Sequence, residues 1–261
     1  DAAIKAGADT QYSAAEAAGA ITDLAKAGVS AKDILGGGLT GSLALAASGS
    51  ALAQSTTLKL GVAYINPNST ATAISGPMTP PNTLSLDVQS ATTLFFSAAR
   101  DIDDNWQGEL ALGVPPTHDV SLVVLNPAGV PGSVAAMNGT TVAKVKQVAP
   151  TLFINYRFFD KTSTFRPFVG LGVNYTYFDP ESTSAGNAVN GGPTNISLKS
   201  SWGLAAQLGV TAKINEAWSV TGAWSTAQVK TTMTSNTLGI QRTADIKFSP
   251  SVFIATVGYT F

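Results

Sequence analysis

Apolar and polar side chains alternate with a period of two through most of this chain, from Leu58 to its last residue, Phe261. The alternation is clearest in Phe253–Phe261, where odd positions are aromatic or aliphatic and even positions are mostly small or polar. Successive side chains of a β-strand point to opposite faces, so this pattern predicts a strand with one apolar face and one mixed face.

The same pattern recurs in seven segments upstream, which gives an even number of eight predicted strands. Only segment 92–100 is ambiguous, because three apolar residues are consecutive there. The other six segments are 58–64, 106–114, 152–158, 168–177, 202–211 and 218–225.

The connections between the predicted strands alternate in length, and this alternation indicates a membrane barrel. Short turns at one end and long loops at the other are typical of outer-membrane barrels, and an open sheet edge would leave amides unpaired in lipid. We therefore predict an all-β fold, an eight-stranded antiparallel transmembrane β-barrel, over residues 55–261. A soluble β-sandwich gives no reason for the alternation. The short connections are 102–105, 160–164 and 213–217, and the long ones are 67–90, 117–146, 179–197 and 233–243.

Large aromatic residues lie near the ends of the predicted strands, where the membrane interfaces would be. Amphipathic rings favour the headgroup level of a bilayer; the alternative explanation is the ordinary enrichment of aromatic residues in β-sheets. Those beside the short turns are Trp106, Trp218 and Phe261, and those toward the long loops are Tyr64, Tyr175, Tyr177 and Trp224.

Composition agrees with a membrane barrel and excludes several other classes. Charged residues are 12 % of the chain, about half the usual share for a soluble domain. Mean hydropathy is only +0.19, too low for a chain of membrane-spanning helices. The net charge of −1 provides no basic field for nucleic acid. Cysteine is absent, which excludes disulfides and thiolate metal sites and is compatible with an oxidising compartment.

Residues 1–54 form a separate predicted segment that is helical and signal-like. Ser13 and Glu16 fit a capping box and Gly28 suits the position after a helix, so we expect a helix over 13–27. Residues 34–57 carry no charge, and Ala51–Ala53 has the small-x-small form of a secretory cleavage site. A transmembrane helix and an Ala-rich helix of a soluble module are the alternatives.

The beginning of the chain also bears on this segment. Because the first residue is Asp1 and not Met, we expect a fragment, a processed product or a trimmed chain. Residues 2–47 are similar to the N-terminal helical region of phage tail tape-measure proteins, a resemblance that implies a junction of two unrelated pieces. We therefore expect residues 1–54 to carry no information on the mature function.

From about residue 58 to 261, the chain resembles the OmpW family of outer-membrane barrels, which includes the AlkL alkane-uptake proteins. Five ordered segments carry the resemblance, and together they are specific although each alone is weak. They are 108–118, 149–157, 165–175, 197–210 and 257–261.

The resemblance implies a monomeric barrel in the outer membrane of a Gram-negative bacterium, with no cofactor. Its hydrophobic channel would open to the outside, close toward the periplasm and release small hydrophobic molecules sideways into the lipid bilayer. Tyr259 and Phe261 resemble the terminal signal that the outer-membrane insertion machinery recognises. The long loops would be flexible caps or, by the same resemblance, receptors for phage or colicins.

His118 is the only histidine, and a catalytic dyad or zinc site needs partners that one histidine cannot supply. We therefore predict no enzyme and no metal site. Pro115 and Pro116 precede His118, where the family pattern also has a proline and a histidine. Because proline cannot donate a ladder hydrogen bond, these three residues are a candidate lateral gate; alternatively, the prolines simply end the strand.

Inward positions nearer the short turns carry charges of both signs. Lys59, Gln107, Glu109 and Arg157 are expected to meet inside a barrel just wide enough to be filled by side chains. Because an isolated buried ion is costly, we interpret the four residues as a polar plug and not as an ion-conducting pore.

Inward positions toward the long loops are smaller and less polar, so they predict an apolar channel. The candidate lining residues are Gly113, Phe153, Gly172, Asn174, Ala205, Ala223, Ala227 and Val229.

The predicted function is passive passage of small hydrophobic compounds across the outer membrane, without cofactor or energy input. The alternative is a structural or adhesive barrel, or a phage or colicin receptor, whose filled interior passes nothing. A lipid-modifying barrel enzyme is disfavoured by the single histidine.

Overall fold

A computed structural model describes residues 55–261 of the chain. The predictions for residues 1–54, namely the helix over 13–27, the signal-like stretch and the resemblance of 2–47 to a phage protein, lie outside the described residues. Within 55–261, neither α-helix has the length and apolar character needed to cross a bilayer.

Eight long strands close into an antiparallel barrel, which confirms the predicted fold class. Around the barrel the order is β1-β4-β5-β8-β9-β11-β12-β15, and β15 pairs again with β1. The strands are β1 (Thr56–Asn66), β4 (Ala91–Asp101), β5 (Trp106–Gly113), β8 (Thr151–Arg157), β9 (Phe165–Ser182), β11 (Ser201–Lys213), β12 (Trp218–Ala227) and β15 (Ser251–Thr260).

The period-two pattern divides each barrel strand into an outward apolar row and an inward row. On β1, Leu60 is 64 % exposed while its neighbour Lys59 is 7 % exposed. On the ambiguous strand β4, Leu94 is exposed and Ser97 faces inward and is buried, but Ala98 and Ala99 are also buried, so the alternation is incomplete there. A belt of exposed aliphatic side chains around a closed sheet requires a hydrocarbon surrounding, because water would make it costly.

Aromatic side chains cluster at both rims of this belt, as predicted. At the rim near the short turns, Trp106 packs edge-on against Tyr156, with ring centroids 5.1 Å apart, and Trp218 against Tyr259 at 5.0 Å. At the other rim, Tyr175 contacts Trp202, with centroids 4.8 Å apart. These are the positions at which amphipathic rings reach the headgroups.

Two of the short turns use the same hydrogen-bonded device. Asp103 Oδ1 accepts the backbone N–H groups of Asn105 and Trp106, at 2.8 and 2.7 Å. Asn215 Oδ1 does the same for Ala217 and Trp218, at 3.0 and 2.8 Å. Short Asx side chains mimic a backbone turn in this way, which places a tryptophan at the start of the next strand in both cases.

The long connections differ from the expected flexible loops, because they carry seven further strands and pack around a hydrophobic core of their own. We call this part the extension. It comprises β2 (Ser69–Ala71), β3 (Leu84–Val88), β6 (Thr117–Val124), β7 (Thr141–Val148), β10 (Thr194–Leu198), β13 (Val229–Thr237) and β14 (Ile240–Phe248), with the 3₁₀ turn Pro127–Gly129, α1 (Gly132–Ala135) and α2 (Ser184–Asn190).

Two sheets build the extension. The first continues the barrel wall, since β7 pairs with the far half of β9, and β6 and β3 follow. The second has the order β10-β13-β14-β2. Their buried residues include Leu86, Leu122 and Met233, contributed by three different connections. Sequence separation hid this core, because each connection supplies only a few of its apolar side chains.

Candidate functional site

The inward side chains of β5 change in character along the barrel axis. From the short turns toward the extension they are Gln107, Glu109, Ala111 and Gly113. The lumen is therefore polar and filled at the turn end. Toward the extension it becomes apolar and is lined by small side chains.

Glu109 is the centre of a buried polar layer that ties five strands together. Its Oε1 accepts from Lys59 Nζ at 2.8 Å and from Ser97 Oγ at 2.6 Å. Its Oε2 accepts from Asn155 Nδ2 at 2.8 Å and from Gln207 Nε2 at 3.2 Å. The donors belong to β1, β4, β8 and β11, so hydrogen bonds to one carboxylate connect five of the eight barrel strands. We call these five residues the Glu109 layer.

A second polar group lies closer to the short turns, on Asp101. Asp101 Oδ1 accepts a hydrogen bond from Gln107 Nε2 at 2.9 Å and forms an ion pair with Arg157 Nη1 at 2.9 Å. Arg166, buried beside it, donates to the backbone carbonyls of Asp104 and Phe159, at 2.6 and 3.0 Å. The predicted plug residues therefore form two layers: Lys59 and Glu109 meet in one, and Gln107 and Arg157 meet in the other.

Glycines on β9 make room for the bulky inward side chains of its neighbours. Phe153 lies opposite Gly172 in the β8–β9 register, and a Cβ at Gly172 would stand 2.7 Å from Phe153 Cδ1. Asn155 likewise lies opposite Gly170. Phe153 is thereby buried against Ala111 and Ala205, on the extension side of the Glu109 layer.

Beyond Phe153 the lumen holds a cavity of about 120 Å³, which we call the lumen cavity. A dry apolar cavity of ~150 Å³ is known to admit benzene, so the size suits a small hydrocarbon. Six of the predicted lining residues border it: Gly113, Phe153, Asn174, Ala205, Ala227 and Val229. Gly172 and Ala223 are not among its lining residues; Gly172 lies beneath the ring of Phe153, and Ala223 lies nearer the short-turn end of β12.

Three polar side chains in the cavity wall bond to one another. Asn174 Nδ2 donates to Thr151 Oγ1 at 2.8 Å, and Thr176 Oγ1 donates to Asn174 Oδ1 at 2.7 Å. Their hydrogen-bonding capacity is used within the wall, so an apolar ligand would not have to displace their partners.

The barrel wall beside this cavity is interrupted between β5 and β8. Their ladder ends at Ala111–Thr151, and the β6–β7 ladder begins only at Thr117–Lys146. Five residues on one side of the interruption face four on the other, a mismatch that breaks regular pairing as a β-bulge does. Across it, the Gln147 N–H bonds to the Pro116 carbonyl at 3.0 Å.

Prolines occupy both edges of the interruption: Pro115 and Pro116 on one, and Pro150 on the other. None of them can donate a ladder hydrogen bond. The lining of the lumen cavity reaches both edges, with Gly113 and Pro116 on one side and Gln147 and Ala149 on the other. On the far side β8 stays paired, because Tyr175 donates to the Pro150 carbonyl at 3.1 Å. We call this interruption the wall gap.

His118, the third residue of the candidate gate, lies on β6 in the extension and is 2 % exposed. Its Nδ1 lies 2.8 Å from the Gln89 carbonyl. Burial lowers the pKa of His118 although the hydrogen bond to Gln89 raises it. His118 does not border the lumen cavity; it lines a second, smaller cavity in the extension.

The remaining sequence predictions concern metals and the terminal strand. No group of three or more acidic, histidine or cysteine residues that could hold a metal occurs within 55–261. Tyr259 and Phe261 lie on the outer face of the barrel, at the rim near the short turns, with ring centroids 6.3 Å apart. Their role as an insertion signal remains a prediction.

Sequence reasoning missed Asn155, Gln207, Asp101 and Pro150. The glycines at alternate positions of β9, Gly170 and Gly172, were a usable signal, because glycine on an inward row marks space for a neighbouring side chain. Asp101 carried no comparable signal, since only the cross-strand register places it beside Arg157.

The chain is similar to several known outer-membrane proteins. A sequence model of the OmpW family matches residues 53–261. Outer membrane protein W of Vibrio cholerae is 31 % identical over 204 residues, which cover 78 % of this chain and 87 % of that protein. The crystal structure of OprG from Pseudomonas aeruginosa superposes with a TM-score of 0.70 at 28 % identity, covering 80 % of this chain and 96 % of OprG. AlkL, determined in lipid bilayers, shares the fold with a TM-score of 0.52 at 19 % identity, covering 78 % and 90 % of the two chains.

Proposed function

The chain belongs to the OmpW family, and we propose that its barrel passes small hydrophobic molecules from the outside into the outer membrane through the wall gap. The barrel lies in the outer membrane of a Gram-negative bacterium, as its relatives do. Short turns face the periplasm in such barrels, so the extension faces outward and the Glu109 layer lies toward the periplasm. Passage is passive, because neither cofactor nor energy input enters the proposed path.

The observation that carries this proposal is the position of the lumen cavity between a closed floor and an interrupted wall. Beneath the cavity, Phe153 and the Glu109 layer fill the lumen and block a straight path to the periplasm. Beside it, both edges of the wall gap contribute to its lining. A hydrophobic solute in the cavity therefore has its easiest exit sideways, where hydrocarbon replaces water on the other side.

The experiment that tests this path fills the lumen cavity and leaves the outside of the barrel unchanged. Ala205→Phe places a ring in the cavity from β11, whereas Ala206→Phe, the matched control, adds the same ring to the lipid-facing row. Uptake of a medium-chain alkane by cells is expected to fall to background with Ala205→Phe and to stay unchanged with Ala206→Phe. Equal uptake by both variants would overturn the proposal.

The proline edge of the wall gap gives an independent test. Replacing Pro115 and Pro116 together with Val restores two amide donors, which can then extend the ladder toward Gln147. We expect slower uptake in this variant at equal amounts of folded barrel. Unchanged uptake would remove the gate role from these residues and leave the cavity without its proposed exit.

A second candidate function follows from the filled floor: a barrel that passes nothing and presents the structured extension to partners, including phage or colicins. The buried Lys59–Glu109 ion pair across the lumen supports this alternative as well as the first. Alkane uptake separates the two, since the alternative predicts none above background. The relatives are outer-membrane barrel proteins, which supports a non-enzymatic role indirectly.

A further inference from the structure

His118 has one ring nitrogen without a hydrogen-bond partner, and the residue lines an apolar pocket of the extension. Nε2 is buried and contacts no donor among the described residues. The pocket that His118 lines has a volume of about 40 Å³. An unsatisfied buried polar atom in a native protein requires an explanation, such as a ligand or an ordered water.

The protonation of the ring follows from its other nitrogen. The Gln89 carbonyl can only accept a hydrogen bond, so Nδ1, at 2.8 Å, carries the proton. Burial lowers the pKa of His118, and the neutral ring then has a lone pair on Nε2. This nitrogen is therefore an acceptor that needs an O–H or N–H donor.

The other residues that line the pocket with His118 define the rest of the ligand. Phe178 and Phe248 lie in the pocket wall with ring centroids 6.1 Å apart, together with Val88, Val145 and Leu198. Among the described lining residues, only His118 and Gln147 have polar side chains. The volume exceeds the ~10–15 Å³ that one water needs, so the hydroxyl end of an organic molecule fits.

Gln147 connects this pocket with the proposed path. Gln147 lines both the pocket and the lumen cavity, so the two are adjacent at this residue. A molecule with an apolar body and one hydroxyl group could place the hydroxyl at Nε2 and extend its chain past Gln147.

From this arrangement we infer that the extension contains a binding site for a small hydroxylated hydrophobic molecule, an aliphatic alcohol or a phenol, whose hydroxyl donates to His118 Nε2. The site deepens the proposed function by naming a substrate class, and it rests on that function for the delivery of the ligand. A pure hydrocarbon would leave Nε2 unsatisfied and gain no preference at this site.

The test uses the fact that the chain has a single histidine. With ¹⁵N-labelled histidine in lipid nanodiscs, the Nε2 resonance reports its hydrogen bond without assignment work. The probes are 1-hexanol and methyl pentyl ether, isomers of equal composition of which only the alcohol has a donor. We expect 1-hexanol to shift the Nε2 resonance saturably. The ether should bind about tenfold more weakly, the factor that one ordinary hydrogen bond supplies.

Two results would overturn the inference. One is an Nε2 resonance that is already hydrogen-bonded in the protein alone and unaffected by 1-hexanol, which indicates a resident water. The other is an equal shift with both isomers, which indicates partition into the bilayer. Asp119→Asn, a change at the adjacent exposed position, controls for charge effects on the resonance, and His118→Phe should abolish the preference for the alcohol in a competition assay.

Failure of this inference can be told apart from failure of the proposed function. If Ala205→Phe stops alkane uptake but 1-hexanol does not affect Nε2, the path stands and the hydroxyl site is refuted. If 1-hexanol binds at Nε2 while Ala205→Phe leaves uptake unchanged, the site stands and the path through the lumen cavity is refuted.

Discussion

We expect a change of one atom in the Glu109 layer to reduce the stability of the barrel strongly. Glu109→Gln replaces one carboxylate oxygen with an amide nitrogen and removes the negative charge. In the native barrel each of the two carboxylate oxygens accepts two hydrogen bonds, and the substitution removes one of these oxygens. Lys59, which is only 7 % exposed, also loses its counter-charge. Breaking one partner of a buried ion pair costs about 3–5 kcal/mol, so we expect a loss of that size in the free energy of unfolding.

The assay is urea unfolding of the barrel in lipid vesicles, followed by the fluorescence of its four tryptophans. Glu216→Gln is the matched control, because Glu216 is exposed in a short turn and such a change costs within about 0.5 kcal/mol. The double variant Lys59→Met with Glu109→Gln removes the orphaned charge. We expect it to be more stable than the sum of the two single losses by at least about 1.5 kcal/mol.

Two outcomes would refute this reasoning. A loss below about 1 kcal/mol in Glu109→Gln would mean that water already solvates the layer and that the lumen is not closed there. Additive losses in the double variant would mean that Lys59 and Glu109 do not act as a pair. An ohmic conductance of the native barrel that disappears in Glu109→Gln would also favour an ion-conducting pore over a plug.

Three further predictions concern a turn, the extension and a close backbone approach. Hydrogen bonds from Trp106 and Asn105 lower the pKa of Asp103 below 3.8, so its contribution to stability is present above that pH and is lost as pH falls through the folded-state pKa; Asp103→Asn should remove this pH dependence of the unfolding midpoint. Burial holds the pKa of His118 below 6.5, so the unfolded chain binds a proton first and the extension should lose stability as pH falls below about 6.5. The protection factors of the β6 amides against hydrogen exchange measure this loss, and they should not depend on pH in His118→Phe. Gly203→Ala would force its Cβ against the Gln228 carbonyl and should reduce the yield of folded, heat-modifiable barrel on electrophoresis, whereas Gly222→Ala, with open space at its Cβ, should not.

The barrel could be predicted because the alternation of lipid-facing and lumen-facing side chains is present in each strand separately. The alternation at Leu60 and Lys59 needs no knowledge of any other strand, since lipid lies on one side and the lumen on the other. Phe153 and Ala205 could therefore be assigned to the inward row from their own segments, and both side chains are buried.

The same reasoning could not predict the cross-strand register, and therefore could not predict which inward side chains bond to each other. Gln107 and Glu109 are two residues apart on one strand, yet Gln107 bonds to Asp101 and Glu109 bonds to Lys59. The stagger between neighbouring strands decides these partners, and the stagger is a property of the closed barrel. The extension core was hidden for a related reason, because Leu122 and Met233 are far apart in sequence and meet only after the barrel has brought their connections together.

The central claim is that hydrophobic molecules leave the lumen through the wall gap, and a reversible lock across the gap tests it most directly. The chain has no cysteine, so Gly113→Cys with Ala149→Cys introduces one pair across the gap, at positions that the extended β5–β8 register places opposite each other. Gly108→Cys with Ile154→Cys is the control, a directly opposed pair in the closed part of the same wall. We predict that oxidation of the first pair reduces alkane uptake to background and that reduction restores it, with no change for the control pair. Full uptake through a barrel shown by mass spectrometry to be locked at the gap would contradict the account.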